Sequence, residues 1–294
     1  DLPGLVRCAA SLGMKTAVST NGTLITYDTA FRLKDAGLGY AGISIDGSEQ
    51  VHDRFRGSKG SFKRVVIALG NCRRAGLKAG LRFTIVRSNA DQIPGIFEIA
   101  ASEGVRRICF YHLLRTGRAR SLQNDLLPPQ GVRDVMDAIL ELTAEYTGKG
   151  LLDEVLTVGN HADGPYLLSR LERRSGMDKV SQEARRLLEI NGGNRTGERI
   201  GCVSWDGEVY CDQFWRNYSL GNVKKRSFRS IWNNTEDPVL MKLRDKTSFA
   251  HPECRKCRWF KLCRGNYRFT GVDFRPENWL NEPACYLNDK ERYG

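Results

Sequence analysis

The sequence predicts an α/β fold built on a parallel sheet, open or barrel-like, followed by a smaller cysteine-bearing region. Two observations predict this class. Strand-like and helical segments alternate four times up to about residue 112, at the repeat length of a βαβ unit. Beyond residue 200 the pattern changes to a short hairpin and four cysteines, Cys254, Cys257, Cys263 and Cys285.

The first half alternates because apolar runs and amphipathic runs are separated by glycine and other turn residues. Strands are predicted over residues 15–19, 40–45, 78–86 and 107–111. Helices are predicted over 3–12, 27–36, 61–75 and 93–103, and residues 52–57 are predicted to form a basic loop.

From Thr116 onward helices dominate. They are expected over 130–149, 166–174, 178–190 and 228–232, the last with Ser227 as N-cap. A β-hairpin is expected from Ile200 to Cys211 around Asp206-Gly207, a favoured two-residue turn. The glycine-rich stretch 192–197 is predicted to be a flexible loop, and it lacks the spacing of a nucleotide-binding phosphate loop.

Charge indicates an anionic partner. The chain of 294 residues carries a formal charge of +12, with a pI near 9.4. Its basic residues are spread along the chain, so an anionic small molecule fits at least as well as nucleic acid. The absence of a long apolar run, the absence of a secretory signal and the odd number of cysteines together predict a soluble, cytoplasmic protein.

Polar side chains follow the predicted strands, where the carboxyl ends of a parallel sheet collect its chemistry. We expect a shared pocket there, although such residues also commonly begin loops. The residues concerned are Ser19, Asn21, Ser44, Asp46, Arg82, Thr84 and His112.

The cysteine spacing, C-x2-C-x5-C-x21-C, suits a metal centre. Four thiolates can hold a cubane iron–sulfur cluster or a tetrahedral zinc ion. Structural zinc sites usually draw on two close pairs, and only one close pair exists here, which favours the cluster. The surrounding Lys and Arg residues are expected to lower the pKa values of these thiols.

These pieces together resemble radical S-adenosylmethionine enzymes with a C-terminal auxiliary-cluster (SPASM-like) extension. The motifs that carry the resemblance are Ser19-Thr-Asn-Gly-Thr, Gly42-Ile-Ser-Ile-Asp-Gly, Gly80-Leu-Arg-Phe-Thr-Ile, Asp206-Gly-Glu-Val-Tyr and Leu220-Gly-Asn-Val. The resemblance implies a partial (β/α)6 TIM-like barrel over 1–125, a helical connection over 126–198 and an α+β auxiliary domain over 199–294.

The implied chemistry is cleavage of S-adenosylmethionine to a 5′-deoxyadenosyl radical that abstracts a substrate hydrogen. Contacts to this cofactor are implied for Ser19, Asn21, Ser44, Asp46 and Arg82. An auxiliary [4Fe–4S] cluster is implied on Cys254, Cys257, Cys263 and Cys285.

The sequence departs from the family pattern at its start. The Cys-x3-Cys-x2-Cys motif that holds the catalytic [4Fe–4S] cluster is not present in it. We expect the natural protein to supply that motif in a preceding segment, and we expect this chain alone not to cleave S-adenosylmethionine.

A second departure concerns the remaining cysteines. Tyr267 stands where two-cluster relatives carry a further cysteine, so a second auxiliary cluster is expected to be lost. Cys202 and Cys211 are then expected to be structural thiols. Cys8, Cys72 and Cys109 are expected to be core thiols.

Further motifs resemble the tetrapyrrole-modifying branch of this family: residues 52–56, 111–118, 160–164, 192–194, 212–215 and 283–287. This branch implies removal of acetate side chains from 12,18-didecarboxysiroheme to give iron-coproporphyrin III, or of propionates in haem d1 synthesis. An iron tetrapyrrole is thus the implied substrate, with a ferredoxin or flavodoxin as electron donor. The implied substrate contacts are carboxylate binding by Arg54, Arg56, Arg115 and Arg118, further contact from His112, ring packing by Trp215 and axial ligation of iron by His161.

Other functions stay open on the sequence alone. The same scaffold also serves enzymes that mature peptides or modify a tungsten cofactor. A non-enzymatic basic protein with a structural zinc knuckle is the more distant alternative.

Overall fold

The structure, a computed structural model, describes residues 1–114, 116–234, 236–266 and 285–294, with the backbone alone at 118, 120, 123 and 175. The chain divides into two compact units. The first, here called the sheet unit, comprises Asp1–Leu113, Asp125–Leu127 and Gly131–Val158. The second, the cysteine unit, comprises Leu114–Asn124, Pro128–Gln130 and Gly159–Gly294.

The sheet unit is built on five parallel strands in sequential order. They are β1 (Ala17–Thr20), β2 (Tyr40–Ser44), β3 (Ala79–Ile85), β4 (Arg107–His112) and β5 (Glu154–Val158). The helices of this part are α1 (Leu2–Ser11), α2 (Tyr27–Asp35), α3 (Glu49–Arg56), α4 (Ser61–Arg74), α5 (Ile93–Ser102) and α6 (Pro129–Gly148).

The two faces of the sheet differ in chemistry because side chains alternate along a strand. One face is apolar and fully buried, with Ile43, Leu81, Phe83, Ile108 and Phe110 at its centre. Strand register places Ser44, Arg82 and Cys109 side by side on the opposite face, with Thr84 beside Tyr111. Parallel strands thus carry a packed core on one face and a largely polar surface on the other.

The cysteine unit is mostly helical. Its helices are α7 (Asp163–Ser175), α8 (Lys179–Asn191), α9 (Phe228–Trp232), α10 (Pro238–Arg244), α11 (Pro252–Lys256), α12 (Phe260–Cys263) and α13 (Asp289–Tyr293). A small antiparallel sheet joins β6 (Cys202–Val203), β7 (Glu208–Tyr210) and β8 (Gly221–Asn222). Trp215 and Ile231 pack at the centre of the adjoining apolar core.

The predicted α/β class is confirmed, as are the four predicted strands and the helices between them. Residues 52–57 were predicted wrongly as a loop, because most of them form helix α3. The fifth parallel strand, Glu154–Val158, was not predicted. Cys72 and Cys109 are buried as expected, but Cys8 is exposed on α1 and is not a core thiol.

No helix in the described ranges is both long and apolar enough to cross a bilayer.

Candidate functional site

Arg82 is the central cation of the polar sheet face. It lies in the middle of β3, and its guanidinium carbon is 4.2 Å from the ring centroid of Tyr111 on β4. Gly42 on β2 leaves room for this side chain, since a Cβ there would lie 2.5 Å from Cδ of Arg82. No carboxylate among the described residues pairs with Arg82, which leaves it able to bind an anion.

The predicted hydroxyl and amide groups lie along the same side of the sheet. Ser19 on β1 pairs in register with Gly42, and Ser44 pairs with Arg82. Ser19 is exposed and Ser44 is half-buried. Asn21 follows β1, where its Oδ1 accepts hydrogen bonds from the backbone N–H and hydroxyl of Thr23. Ser19, Ser44 and Arg82 therefore share one face, while Asn21 orders the loop beside it.

Asp46 has protein partners of its own. It is fully buried, and its Oδ2 accepts a hydrogen bond from Nε of Arg56 at 2.5 Å. Burial raises the pKa of this carboxyl, and the positive charge of Arg56 opposes that rise. The structure therefore joins Asp46 and Arg56 to each other, although the sequence assigned one to the cofactor and the other to the substrate.

The neighbouring motif residues His52 and Asp53 also have structural roles. Nδ1 of His52 accepts the backbone N–H of Asp46 at 3.1 Å. The carboxylate of Asp53 accepts the backbone N–H groups of Gly60 and Phe62 and the hydroxyl of Ser61. These hydrogen bonds hold the pKa of Asp53 down, to about 2. Of this motif, Arg54 is the cation with an exposed side chain and no ion pair in the described part of the chain.

The other predicted substrate contacts of the first half are placed only in part. His112 ends β4 in register with Ile85, on the opposite face from Tyr111. The structure therefore does not group its side chain with Arg82. Arg115 and the side chain of Arg118 lie outside the described residues.

The four predicted cysteines of the cysteine unit line one pocket. Cys254 and Cys257 come from α11 and its C-cap, Cys263 ends α12 and Cys285 precedes α13. The other residues that line this pocket are Ala162, His251, Glu253, Gly265, Asn266, Leu287 and Arg292. Local helix ends therefore bring together ligands that are up to 31 positions apart in sequence (285 − 254).

The thiols raise one another's pKa. Burial raises the pKa of Cys263 to about 12, and the neighbouring Cys285, Cys254 and Cys257 add to the rise. The pKa of Cys257 is also raised, mainly by burial. The prediction that nearby cations would lower these values is wrong, because burial has the larger effect on both thiols. Arg292 and Arg258 do lower the pKa of Cys257, but not enough to offset its burial. Clustered thiols of this kind become thiolates when they bind metal cations.

The pocket fits a cluster better than a single ion. A tetrahedral zinc ion holds its sulfur ligands about 3.8 Å apart, given Zn–S bonds of about 2.3 Å. Within the described ranges, no three His, Cys, Asp or Glu side chains converge as the ligands of one metal ion do. A cubane spaces its four thiolates more widely because each one binds a different iron. Four cysteines around one pocket therefore suit an iron–sulfur cluster.

A separate segment of the cysteine unit, residues 192–198, clamps the loop that carries Cys263. The backbone N–H of Asn194 donates to the carbonyl of Cys263 at 2.9 Å. Gly193 lies so close that a Cβ there would be 2.3 Å from the carbonyl oxygen of Leu262. The carboxylate of Glu198 accepts hydrogen bonds from Nη1 and Nη2 of Arg264, whose backbone is left-handed with φ of 56°. The prediction of a flexible loop over 192–197 is therefore corrected, because these contacts hold the stretch in place.

His161 lies next to this clamped loop. Its backbone N–H donates to Oδ1 of Asn266, and Nδ2 of Asn266 donates to Asn160. Burial lowers the pKa of the imidazole to about 4, so it is neutral at physiological pH. Its Nε2 is buried within the protein, so binding iron there would need the surroundings to open.

Trp215 belongs to the core and is not a surface for ring packing. Its side chain is 1% exposed and packs with Val209 and Cys211. This position corrects the prediction that its indole contacts the substrate, because no free ring face remains. Burial also raises the pKa of Cys211 to about 12, which fits a structural thiol.

Sequence reasoning missed several residues that shape both sites. Tyr111 was not singled out, although its position two residues beyond Cys109 on a strand places both on the polar face. Asn160, Asn194 and Asn266 were not identified as a network, because they are far apart in sequence and only the fold brings them together.

Two family models match separate parts of the chain. The sequence model of the radical SAM superfamily matches residues 1–100, and that of the SPASM iron–sulfur cluster-binding domain matches residues 196–258.

Two curated relatives align over almost the whole chain. A Fe-coproporphyrin III synthase of Methanosarcina barkeri is 44% identical over 294 residues, covering 99% of this chain and 73% of the relative. A pre-heme d1 synthase of Dinoroseobacter shibae is 32% identical over 292 residues, covering 99% of this chain and 72% of the relative. The fold is similar to that of SuiB of Streptococcus suis, with a TM-score of 0.71 at 15% identity, covering 98% of this chain and 64% of that one.

Proposed function

The chain belongs to the radical SAM superfamily, and we propose that it acts in haem biosynthesis. The proposed reaction removes acetate side chains from 12,18-didecarboxysiroheme and yields Fe-coproporphyrin III. The observation that carries this proposal is the similarity to the Fe-coproporphyrin III synthase, which extends over nearly all of the chain.

Membership of the superfamily implies S-adenosylmethionine as the cofactor. When bound, this cofactor would supply the radical that abstracts a hydrogen atom. The polar sheet face supports this cofactor. Arg82 offers a guanidinium for its carboxylate, and Ser19 and Ser44 offer hydroxyl groups for its ribose or amino acid part. Asn21 orders the adjoining loop. Asp46 orders the turn that follows β2, through its ion pair with Arg56.

The cysteine unit would hold an auxiliary cluster. Cys254, Cys257, Cys263 and Cys285 are its proposed ligands, since they line one pocket and the SPASM match adjoins them. Gly265 donates a backbone N–H to Sγ of Cys263 at 3.4 Å, and such bonds tune the reduction potential of a bound cluster.

The substrate side of the proposal rests on charge. An iron tetrapyrrole bears several carboxylates, and the chain carries a net charge of +12. Arg54, exposed and without an ion pair in the described ranges, remains the best-placed cation of its motif. Contacts from Arg115, Arg118 and His112 remain proposals. We assign Arg56 and Trp215 structural roles, and we keep His161 as an iron ligand only if its buried Nε2 becomes accessible.

We also propose a low-potential electron donor, such as a ferredoxin or flavodoxin, because the reductive cleavage of S-adenosylmethionine consumes an electron. A cytoplasmic location is proposed as well. None of the nine cysteines, all of which lie in the described ranges, forms a disulfide, which is the usual situation in a reducing compartment.

The second candidate function is removal of propionate side chains, supported by the similarity to the pre-heme d1 synthase. The two reactions start from the same precursor and differ in the mass that is lost. Their products can therefore be told apart directly.

The test uses protein expressed from its natural gene, purified and reconstituted without oxygen. It is incubated with S-adenosylmethionine, dithionite and 12,18-didecarboxysiroheme, and the products are analysed by liquid chromatography and mass spectrometry. We expect Fe-coproporphyrin III together with 5′-deoxyadenosine.

Loss of propionates instead of acetates would favour the second candidate. An unchanged tetrapyrrole, in an assay where S-adenosylmethionine is still cleaved, would exclude both haem-related functions.

A further inference from the structure

The polar sheet face contains two arginine–tyrosine stacks of the same kind. The guanidinium carbon of Arg82 lies 4.2 Å from the ring centroid of Tyr111, and that of Arg107 lies 4.6 Å from the ring centroid of Tyr40. The first stack joins the adjacent strands β3 and β4, and the second reaches across β3 from β4 to β2. An aromatic ring beneath a guanidinium attracts it and limits its rotamers.

The two stacks differ in what neutralises the cation. Nε of Arg107 pairs with Oε2 of Glu154 at 2.9 Å. Arg82 has no carboxylate partner among the described residues. The charge of Arg107 is therefore neutralised within the protein, whereas Arg82 is a half-buried cation available to an external anion.

Arg82 is confined from a second side as well. Its Cγ and Cδ lie over Gly42, where a Cβ would come within 3.2 Å and 2.5 Å of them. An arginine held this way loses less conformational entropy when it binds a carboxylate.

We propose that Tyr111 is a positioning residue, which holds the guanidinium of Arg82 in place to bind the carboxylate of S-adenosylmethionine. This inference rests on the cofactor role proposed above for Arg82. Tyr111 itself touches no reacting atom in this proposal and acts through Arg82 alone.

The test measures the Kd of S-adenosylmethionine by anaerobic equilibrium dialysis, with reconstituted protein expressed from its natural gene. Tyr111→Leu is expected to raise Kd about five- to tenfold, from the usual strength of a partly desolvated cation–π contact. Tyr111→Phe keeps the ring and should stay within about twofold of the wild type. Tyr40→Leu removes the other stack and should also leave Kd within about twofold.

Steady-state kinetics give a second readout that general damage to the fold would not reproduce. For Tyr111→Leu we expect a higher KM for S-adenosylmethionine with kcat nearly unchanged, since ground-state binding is what is lost. The iron content and the Kd of the tetrapyrrole should not change.

Arg82→Met separates failure of this inference from failure of the proposed function. If it leaves the Kd of S-adenosylmethionine unchanged, the cofactor role of Arg82 is wrong. If it weakens binding while Tyr111→Leu does not, only the positioning role is wrong. An equal loss in Tyr111→Phe or Tyr40→Leu would also overturn that role. The double variant Tyr111→Leu/Arg82→Met should bind no more weakly than Arg82→Met alone.

Discussion

At the scale of single residues, His52 shows how this chain uses a buried imidazole as a fixed hydrogen-bond acceptor. The residue is 1% exposed, and its Nδ1 accepts the backbone N–H of Asp46. Burial is the main cause that lowers its pKa, to about 4, and the positive charge of Arg56 lowers it further. A neutral His52 therefore supports the turn that carries Asp46.

This lowered pKa predicts a local dependence of stability on pH. In the unfolded chain the imidazole has a pKa near 6.5, so between about pH 6.5 and 4 the unfolded state binds a proton that the folded state does not. The contribution of His52 is fully present above that window, and it is lost as pH falls through it.

We expect His52→Asn, which keeps a hydrogen-bond acceptor but cannot be protonated, to reduce the fall in local stability between pH 6.5 and 4. The measurement is hydrogen–deuterium exchange of peptides that cover residues 40–64, corrected for the intrinsic exchange rate at each pH. His161→Asn is the matched control, because His161 has the same lowered pKa but lies in the cysteine unit. If protection of residues 40–64 falls equally with pH in the wild type and in His52→Asn, the proposed role of His52 in this pH dependence is wrong.

The residue scale also shows where prediction from sequence stops. The sequence predicted that Ser19, Ser44 and Arg82 would gather near the carboxyl ends of the strands, because parallel strands end at one edge of a sheet. Strand register adds that these three side chains share one face. The ion pair of Asp46 with Arg56 was not expected, since it depends on how helix α3 packs. The depth of Trp215 likewise depends on contacts with distant strands and helices.

At the scale of elements, the loop that carries Cys263 depends on its contact with residues 192–198. Gly193 has φ of +61°, and a Cβ there would lie within 2.4 Å of the carbonyl oxygens of Leu262 and Cys263. No side chain fits without moving the backbone that carries a proposed ligand.

In the 294-residue chain, Gly193→Ala is therefore expected to lower the iron and sulfide content after reconstitution to less than about half of the wild-type value. The reason is that displacing the loop moves Cys263 away from the cluster. Gly150→Ala is the matched control, because Gly150 has φ of +68° and a Cβ there would have no atom within 4 Å. That variant carries the left-handed strain of about 1 kcal/mol without a clash. Equal iron loss in both variants would show that strain, and not the contact, is responsible.

The elements themselves were predicted unevenly. Long periodic helices and apolar strands were found because their patterns are strong. Helix α3 was taken for a loop because its sequence is strongly polar and only His52 is buried. Strand β5 has a recognisable pattern, since Glu154–Val158 is rich in β-branched residues and is followed by Gly159, but it lies within the stretch 126–198 that was expected to be a helical connection.

At the scale of the whole molecule, each unit carries one half of the family assignment. The superfamily match lies within the sheet unit, and the SPASM match lies within the cysteine unit. The sequence could predict the family because its motifs occur in a fixed order along the chain. It could not decide between acetate and propionate removal, because the same motifs resemble the enzymes of both reactions nearly equally.

The proposed role of the cysteine unit depends on an iron–sulfur cluster held by Cys254, Cys257, Cys263 and Cys285. The most direct test is Mössbauer spectroscopy of the 294-residue chain, enriched in iron-57 and purified without oxygen. We predict a [4Fe–4S] signal with about four irons per chain, absent in Cys257→Ala and retained in Cys8→Ala. Stoichiometric zinc without sulfide, or an undiminished iron signal in Cys257→Ala, would contradict a cluster on these four cysteines.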